Sequence, residues 1–197
     1  MIMARNKERE MALPPAFPAD TALPGGFTSS SFENERGQTM FTIGLPRRDT
    51  SKPAKAMCVF THGLADHCTR EGYLSLFENL SSGGVDCYAY DLHGHGRSGM
   101  CIKPCYTERF EDYTTDLILY VKLCQKIYTD KGEMAPPLIL AGQSMGGIIS
   151  SSAVLGLGSS HVGGLMLTSP AFGVDMGCKR PRLCVSLLYT ALTPLLQ

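Results

Sequence analysis

The sequence predicts an α/β fold, with a mostly parallel sheet and helices on both faces, and three observations predict it. Short apolar runs recur at 56–61, 85–90, 138–140 and 164–169, of a length that suits buried strands. Between them lie stretches with apolar residues three and four apart, best developed from Phe110 to Tyr128, as a helix covering a sheet requires. Between Glu133 and Asp175 there is no Asp, Glu, Lys or Arg, so this part reads as the fully buried centre of a parallel sheet. Gly and Ser interrupt it throughout, which argues against a membrane span.

Composition narrows the function classes. At 44% hydrophobic and 18% charged, 197 residues suffice for one good core. Lys+Arg 18 against Asp+Glu 18 leaves no electrostatic reason to seek nucleic acid. Met1 to Glu10 is charged and lacks the apolar stretch of a signal peptide, so a cytoplasmic location is expected. The eight cysteines have no C-x-x-C spacing and several sit in apolar runs, as buried free thiols do. Cys101 with Cys105 and Cys178 with Cys184 are the candidate loop pairs if a disulfide forms.

Taken in order, residues 1–26 hold Pro14-Pro15, Pro18, Pro24 and Gly25-Gly26 without periodicity and read as a loose leader. Phe27 to Pro46 reads as an antiparallel hairpin at the sheet edge, turning at Asn34–Gly37. Ala56–Thr61 is a buried strand that runs into His62-Gly63-Leu64. Tyr73–Leu80 is a short helix, Val85–Tyr90 the next strand, and Asp91–Gly99 a tight polar loop. His93 and His95 lack an apparent third ligand, so glycine alternation explains that loop better than a metal does, and no metal or cofactor is called for.

Leu138-Ile139-Leu140-Ala141-Gly142-Gln143-Ser144-Met145-Gly146-Gly147 then reads as strand, sharp turn and helix with a serine at the turn. A serine so held projects its hydroxyl above the carboxyl edge of the sheet, while Gly142 and Gly146 keep the two backbones clear of side chains. Met145 can offer its N–H to an oxyanion from the first helical turn. The second donor has to come from just past the strand ending at Thr61, which makes Leu64 the candidate. His62 and Gly63 would shape that turn, His62 as a hydrogen-bonded structural imidazole rather than a base. The helix runs to about Leu157 and the strand Gly164–Ser169 follows.

Together these residues resemble the amino-terminal part of an α/β-hydrolase, and more closely the monoacylglycerol lipase and lysophospholipase group of serine hydrolases. The resemblance runs from about Phe27 onward. It rests on Phe32 with Gly37-Gln38, His62-Gly63-Leu64-Ala65-Asp66-His67, the Asp91–Ser98 loop, Phe110-x-Asp112-Tyr113 with Asp116, and Gly142-Gln143-Ser144-Met145-Gly146-Gly147. Ala65 stands where the family often has glycine, His93 where it often has arginine, and Gln143 where histidine is usual. The resemblance implies Ser144 as nucleophile, the N–H groups of Leu64 and Met145 as the oxyanion hole, and a lipid-like ester as substrate. It divides the chain into the leader 1–26, a core 27–172 truncated before the last strands, and 173–197 as the start of a cap.

In this fold the triad follows the order Ser, acid, His. After Ser144 only His161 and then Asp175 occur, in reversed order, so the catalytic acid and histidine are expected outside this chain. His161 would in any case lie about 18 Å from the catalytic edge, at 1.5 Å per helical residue. Leu183, Leu187, Leu188, Ala191, Leu192 and Leu195 fall on one helical stripe of the cap. That stripe reads first as packing against the rest of the cap, with an acyl-chain pocket or peripheral contact with a membrane as alternatives. Two functions follow: a serine ester hydrolase of which this chain alone is inactive, or a non-catalytic binding or regulatory protein on the same scaffold.

Overall fold

The computed structural model describes residues 23–99 and 103–173. Expectations for the leader up to residue 22, for Cys101, and for Asp175, Cys178, Cys184 and the cap stripe lie outside those residues. Six strands and three helices follow one another as β1 (Thr28–Glu33), β2 (Thr39–Leu45), β3 (Ala56–Thr61), α1 (Glu71–Ser82), β4 (Val85–Tyr90), α2 (Glu111–Thr129), β5 (Leu138–Gln143), α3 (Met145–Leu157) and β6 (Gly164–Thr168), with a 3₁₀ turn at Ser159–His161 before β6. The strands form one sheet in the order β1-β2-β4-β3-β5-β6. The β1–β2 hairpin is antiparallel at the edge and the remaining four strands are parallel.

The sheet's two faces follow from alternation along the strands. Met57 and Val59 of β3 face one way and pack with Leu138 and Leu140 of β5 under α2 and α3, against Leu117, Val121, Ile148 and Ile149. Cys58 and Phe60 face the other way, under Tyr73 and Phe77 of α1. In α2 the expected charge pattern holds, with Glu111 and Asp112 in the first turn and Lys126 in the last. Cys58, Cys68, Cys87 and Cys124 are buried free thiols, and burial raises the pKa of each.

Two expectations need correction. The stretch without charges is not buried throughout: β5 is, but β6 is half-exposed and Leu165 keeps 42% of its surface. Among the described strands β6 pairs only with β5, so it stands at an edge instead of at the centre. The helix expected at Tyr73–Leu80 runs two residues further each way, because Arg70 O already accepts from Tyr73 and Leu74 N–H.

Topology sets where a site can form. From β3 the chain crosses to β4 through α1, and from β4 it returns on the other face through α2 to β5. Neighbouring β3 and β5 therefore send their following loops in opposite directions, which opens a crevice at their carboxyl ends. Thr61 lies beside both Tyr90 and Gly142 in register, so the loops after β3, β4 and β5 rise from one row.

Candidate active site

Ser144 stands at the mouth of that crevice with φ 53° and ψ −118°, a conformation that costs a non-glycine residue roughly 1–3 kcal/mol. Neighbouring backbone holds it there. Ser144 N–H donates to Thr168 O at 3.0 Å, and its carbonyl accepts from Gly147 at 3.0 Å and Ala171 at 3.1 Å. The hydroxyl does not cap α3.

The glycines are required by close approach. A Cβ on Gly142 would collide with Gly146 O, and one on Gly146 would collide with the carbonyls of Thr61 and His62. Strand β5, helix α3 and the end of β3 thus touch backbone to backbone beneath Ser144. The loop after β3 closes over this point: a Cβ on Gly63 would stand 3.3 Å from Ser144 Cβ and 2.7 Å from the terminal amide of Gln143. Leu64 follows, 58% exposed, and Ala65 takes φ 54°, where this family often places glycine. Neither Leu64 nor Met145 N–H donates to a backbone carbonyl outside helix and strand ladders among the described residues. For Met145 this is the general condition of the first N–H groups of a helix, which have no partner within it.

His62 spends both ring nitrogens inside the protein. Its Nε2 accepts from Leu92 N–H at 2.9 Å, so Nδ1 carries the proton and donates to Gly63 O at 2.8 Å. Complete burial lowers its pKa, and the 4.0 Å approach to Asp91 Oδ1 is therefore no ion pair. It ties the loop after β3 to the loop after β4.

The loop after β4 is built around Asp91. Its carboxylate accepts from Cys68 N–H at 2.7 Å and Arg97 N–H at 2.8 Å, and its carbonyl from Ser98 Oγ at 2.5 Å. Only glycine fits at 96, since a Cβ there would strike that carboxylate. His93 is buried in a polar cluster in which Asp116 accepts from His93 Nδ1 at 2.9 Å, Asn34 Nδ2 at 3.3 Å and Arg36. His95 Nδ1 donates to His93 O at 3.0 Å, and its ring lies 5.4 Å from that of His62. Both imidazoles of this loop bond inside the protein through Nδ1.

One cluster escaped the reading of the sequence. Tyr73 Oη lies 2.5 Å from Asp66 Oδ2 and 3.0 Å from the side-chain amide of Gln143, the residue before the nucleophile. The positions are separated by up to 77 residues, and no local pattern announces the pairing. His161, by contrast, lies where expected, exposed beyond the far end of α3 with Ser160 Oγ 3.3 Å from its Nδ1. Among the described residues no hydrogen-bonded carboxylate or imidazole reaches Ser144 Oγ.

The family model for Hydrolase_4, described as serine aminopeptidase S33, matches residues 52–197. The chain belongs to this family. Rat monoglyceride lipase is 33% identical over 116 residues, covering 59% of this chain and 35% of that protein. The monoglyceride lipase homolog of monkeypox virus is 30% identical over 140 residues, covering 71% of this chain and 47% of that one. A soluble variant of Saccharomyces cerevisiae monoglyceride lipase, solved with a substrate analog, superposes with a TM-score of 0.63 at 20% identity, over 84% of this chain and 51% of that one. At that identity the superposition speaks for the fold. The chain is thus a monoacylglycerol lipase-like α/β-hydrolase, and it spans less than half the length of the two curated relatives. No helix among the described residues is long and apolar enough to cross a membrane.

Proposed function

We propose that the full-length protein carrying these residues is a serine ester hydrolase of the monoacylglycerol lipase and lysophospholipase type, with Ser144 as nucleophile. The observation that carries this reading is the strained Ser144 turn, with its hydroxyl left out of helix capping and its flanking glycines packed too closely for any side chain. Ser144 Oγ attacks the ester carbonyl, and a histidine supplied beyond these residues takes its proton. The tetrahedral oxygen accepts from Leu64 and Met145 N–H. That histidine returns the proton to the departing alcohol, and water then attacks the acyl-serine to release the fatty acid and free Ser144. The loss of one oxyanion donor costs about 3 kcal/mol of barrier.

In full-length protein, Ser144→Ala is expected to bring p-nitrophenyl ester hydrolysis down to the background rate. A wild-type rate in that variant overturns the assignment of Ser144, whereas background-level ester turnover by the unmutated full-length protein favours a binding protein on the same scaffold. The family description names a peptidase, so an aminoacyl p-nitroanilide belongs beside monoacylglycerol in the assay, and turnover of the ester is the expected result. The 197 residues alone are expected to react slowly with a fluorophosphonate probe, because a serine without a base is a weak nucleophile.

A further inference from the structure

We propose that Asp66, Tyr73 and Gln143 form a hydrogen-bonded brace that holds the loop after β3 against the Ser144 turn, making all three positioning residues for the oxyanion hole. The inference rests on the reading of Leu64 and Met145 as the oxyanion donors.

Those donors sit on two separate pieces of chain, one on an exposed loop and one on the first turn of a helix, and their spacing must be held from outside. Ala65 makes the loop the weaker side, since it takes a left-handed φ of 54° without being glycine. Asp66 directly follows. Its Oδ1 accepts from the next N–H, His67, at 2.9 Å, and its Oδ2 lies 3.3 Å from Arg70 and 2.5 Å from Tyr73 Oη. Tyr73 is itself fixed: it is buried in α1, its ring centroid lies 4.5 Å from that of Phe60 on β3, and Arg70 stands 5.7 Å over its face. On its far side the same hydroxyl meets Gln143 at 3.0 Å, and Gln143 is bonded through the backbone to Ser144.

Proton counting fixes the direction of the chain. Burial by itself would raise the Asp66 carboxyl, but the bonds from Tyr73 and His67 bring it below the ordinary carboxylate range, so Asp66 is ionised and can only accept. Burial and the same bond raise Tyr73, which stays a neutral hydroxyl with a single proton. That proton goes to Asp66, the shorter and charge-assisted bond. Gln143 must then turn its amide nitrogen toward Tyr73 Oη and donate to it, since amide orientation follows from the partners' protons. The chain runs Gln143 N–H to Tyr73 O–H to Asp66 carboxylate, from the nucleophile strand to the oxyanion loop. Gln143 is one of the positions where this chain departs from the family's usual histidine, and an imidazole there could also donate.

Full-length Tyr73→Phe, Gln143→Leu and Gln143→His test the brace. Tyr73→Phe keeps the ring on Phe60, and Gln143→Leu keeps the approximate shape, so both are expected to fold. Each should lower kcat by about tenfold to a hundredfold with KM within about twofold, the scale of a misplacement near 1 Å. Gln143→His should restore kcat to within about threefold. Deuterium uptake of the peptide covering 62–68 should quicken by about tenfold in Tyr73→Phe while α2 stays unchanged. Unchanged kcat in both Tyr73→Phe and Gln143→Leu, beside a dead Ser144→Ala, overturns the brace and leaves the nucleophile standing. If Ser144→Ala retains full activity the parent reading fails, and the 62–68 uptake then decides: quickened, the brace stands as a support of the loop; unchanged in Tyr73→Phe, it is overturned too.

Discussion

At the scale of single residues, the fate of a buried imidazole depends on which state its surroundings can pay for. Burial lowers the His95 pKa to about 4, against the upward pull of its bond to the His93 carbonyl, and His62 is lowered too. The folded state therefore binds these protons less readily than the unfolded chain, whose imidazoles titrate near 6.5. Stability is fully present above that value and is lost as pH falls from about 6.5 toward 4. His95 alone accounts for on the order of 3 kcal/mol across this window. Asp66 has a lowered pKa as well, but it acts in the same direction only further into acid. Urea titrations at pH 7.5 and 4.5 should show the loss in the parent and a clearly smaller one in His95→Gln, and equal losses would refute the assignment. At this scale Ser144 and its glycines were legible, because the demand they meet is local backbone geometry. Tyr73 was not, since its role depends on two residues brought close only by the sheet.

At the scale of elements, the central strands could be read because their runs are short and apolar, and α2 because its apolar residues recur three and four apart. The hairpin turn at Asn34–Gly37 was equally readable, and Gly37 takes φ 72° there. Helix ends were less so: Glu71 and Gly72 carry no apolar signal, and only the Arg70 carbonyl shows where α1 begins. The junction of β5, α3 and β3 is where elements constrain one another most. Gly146→Ala places a methyl group against the Thr61 and His62 carbonyls, which belong to a central strand and its tightly bonded loop and cannot withdraw. Overpacking of this kind costs about 3 kcal/mol or more. The measurement is the urea midpoint of Gly146→Ala beside Gly25→Ala, whose added Cβ would meet nothing within 4 Å. The first should drop sharply and the second stay close to the parent.

At the scale of the whole molecule, the sheet is protected unevenly. The hairpin covers one edge with a strand carrying Thr28, Ser29, Ser30 and Ser31, and polar residues on an edge discourage further pairing. The other edge, β6, has the sequence Gly-Leu-Met-Leu-Thr, with Leu165 42% exposed. The absence of charge that made this region read as a buried centre becomes a liability where nothing among the described residues covers it. An apolar, uncharged edge strand pairs readily with another chain. The 197-residue chain expressed alone is therefore expected to self-associate, with a sedimentation coefficient that rises with concentration over the micromolar range. Leu165→Lys places a charge on the exposed side of that strand at little cost to the core, and should raise the soluble monomeric fraction severalfold. A parent chain that sediments as a single monomer at every concentration, with Leu165→Lys indistinguishable from it, would show that the β6 edge is not the adhesive surface.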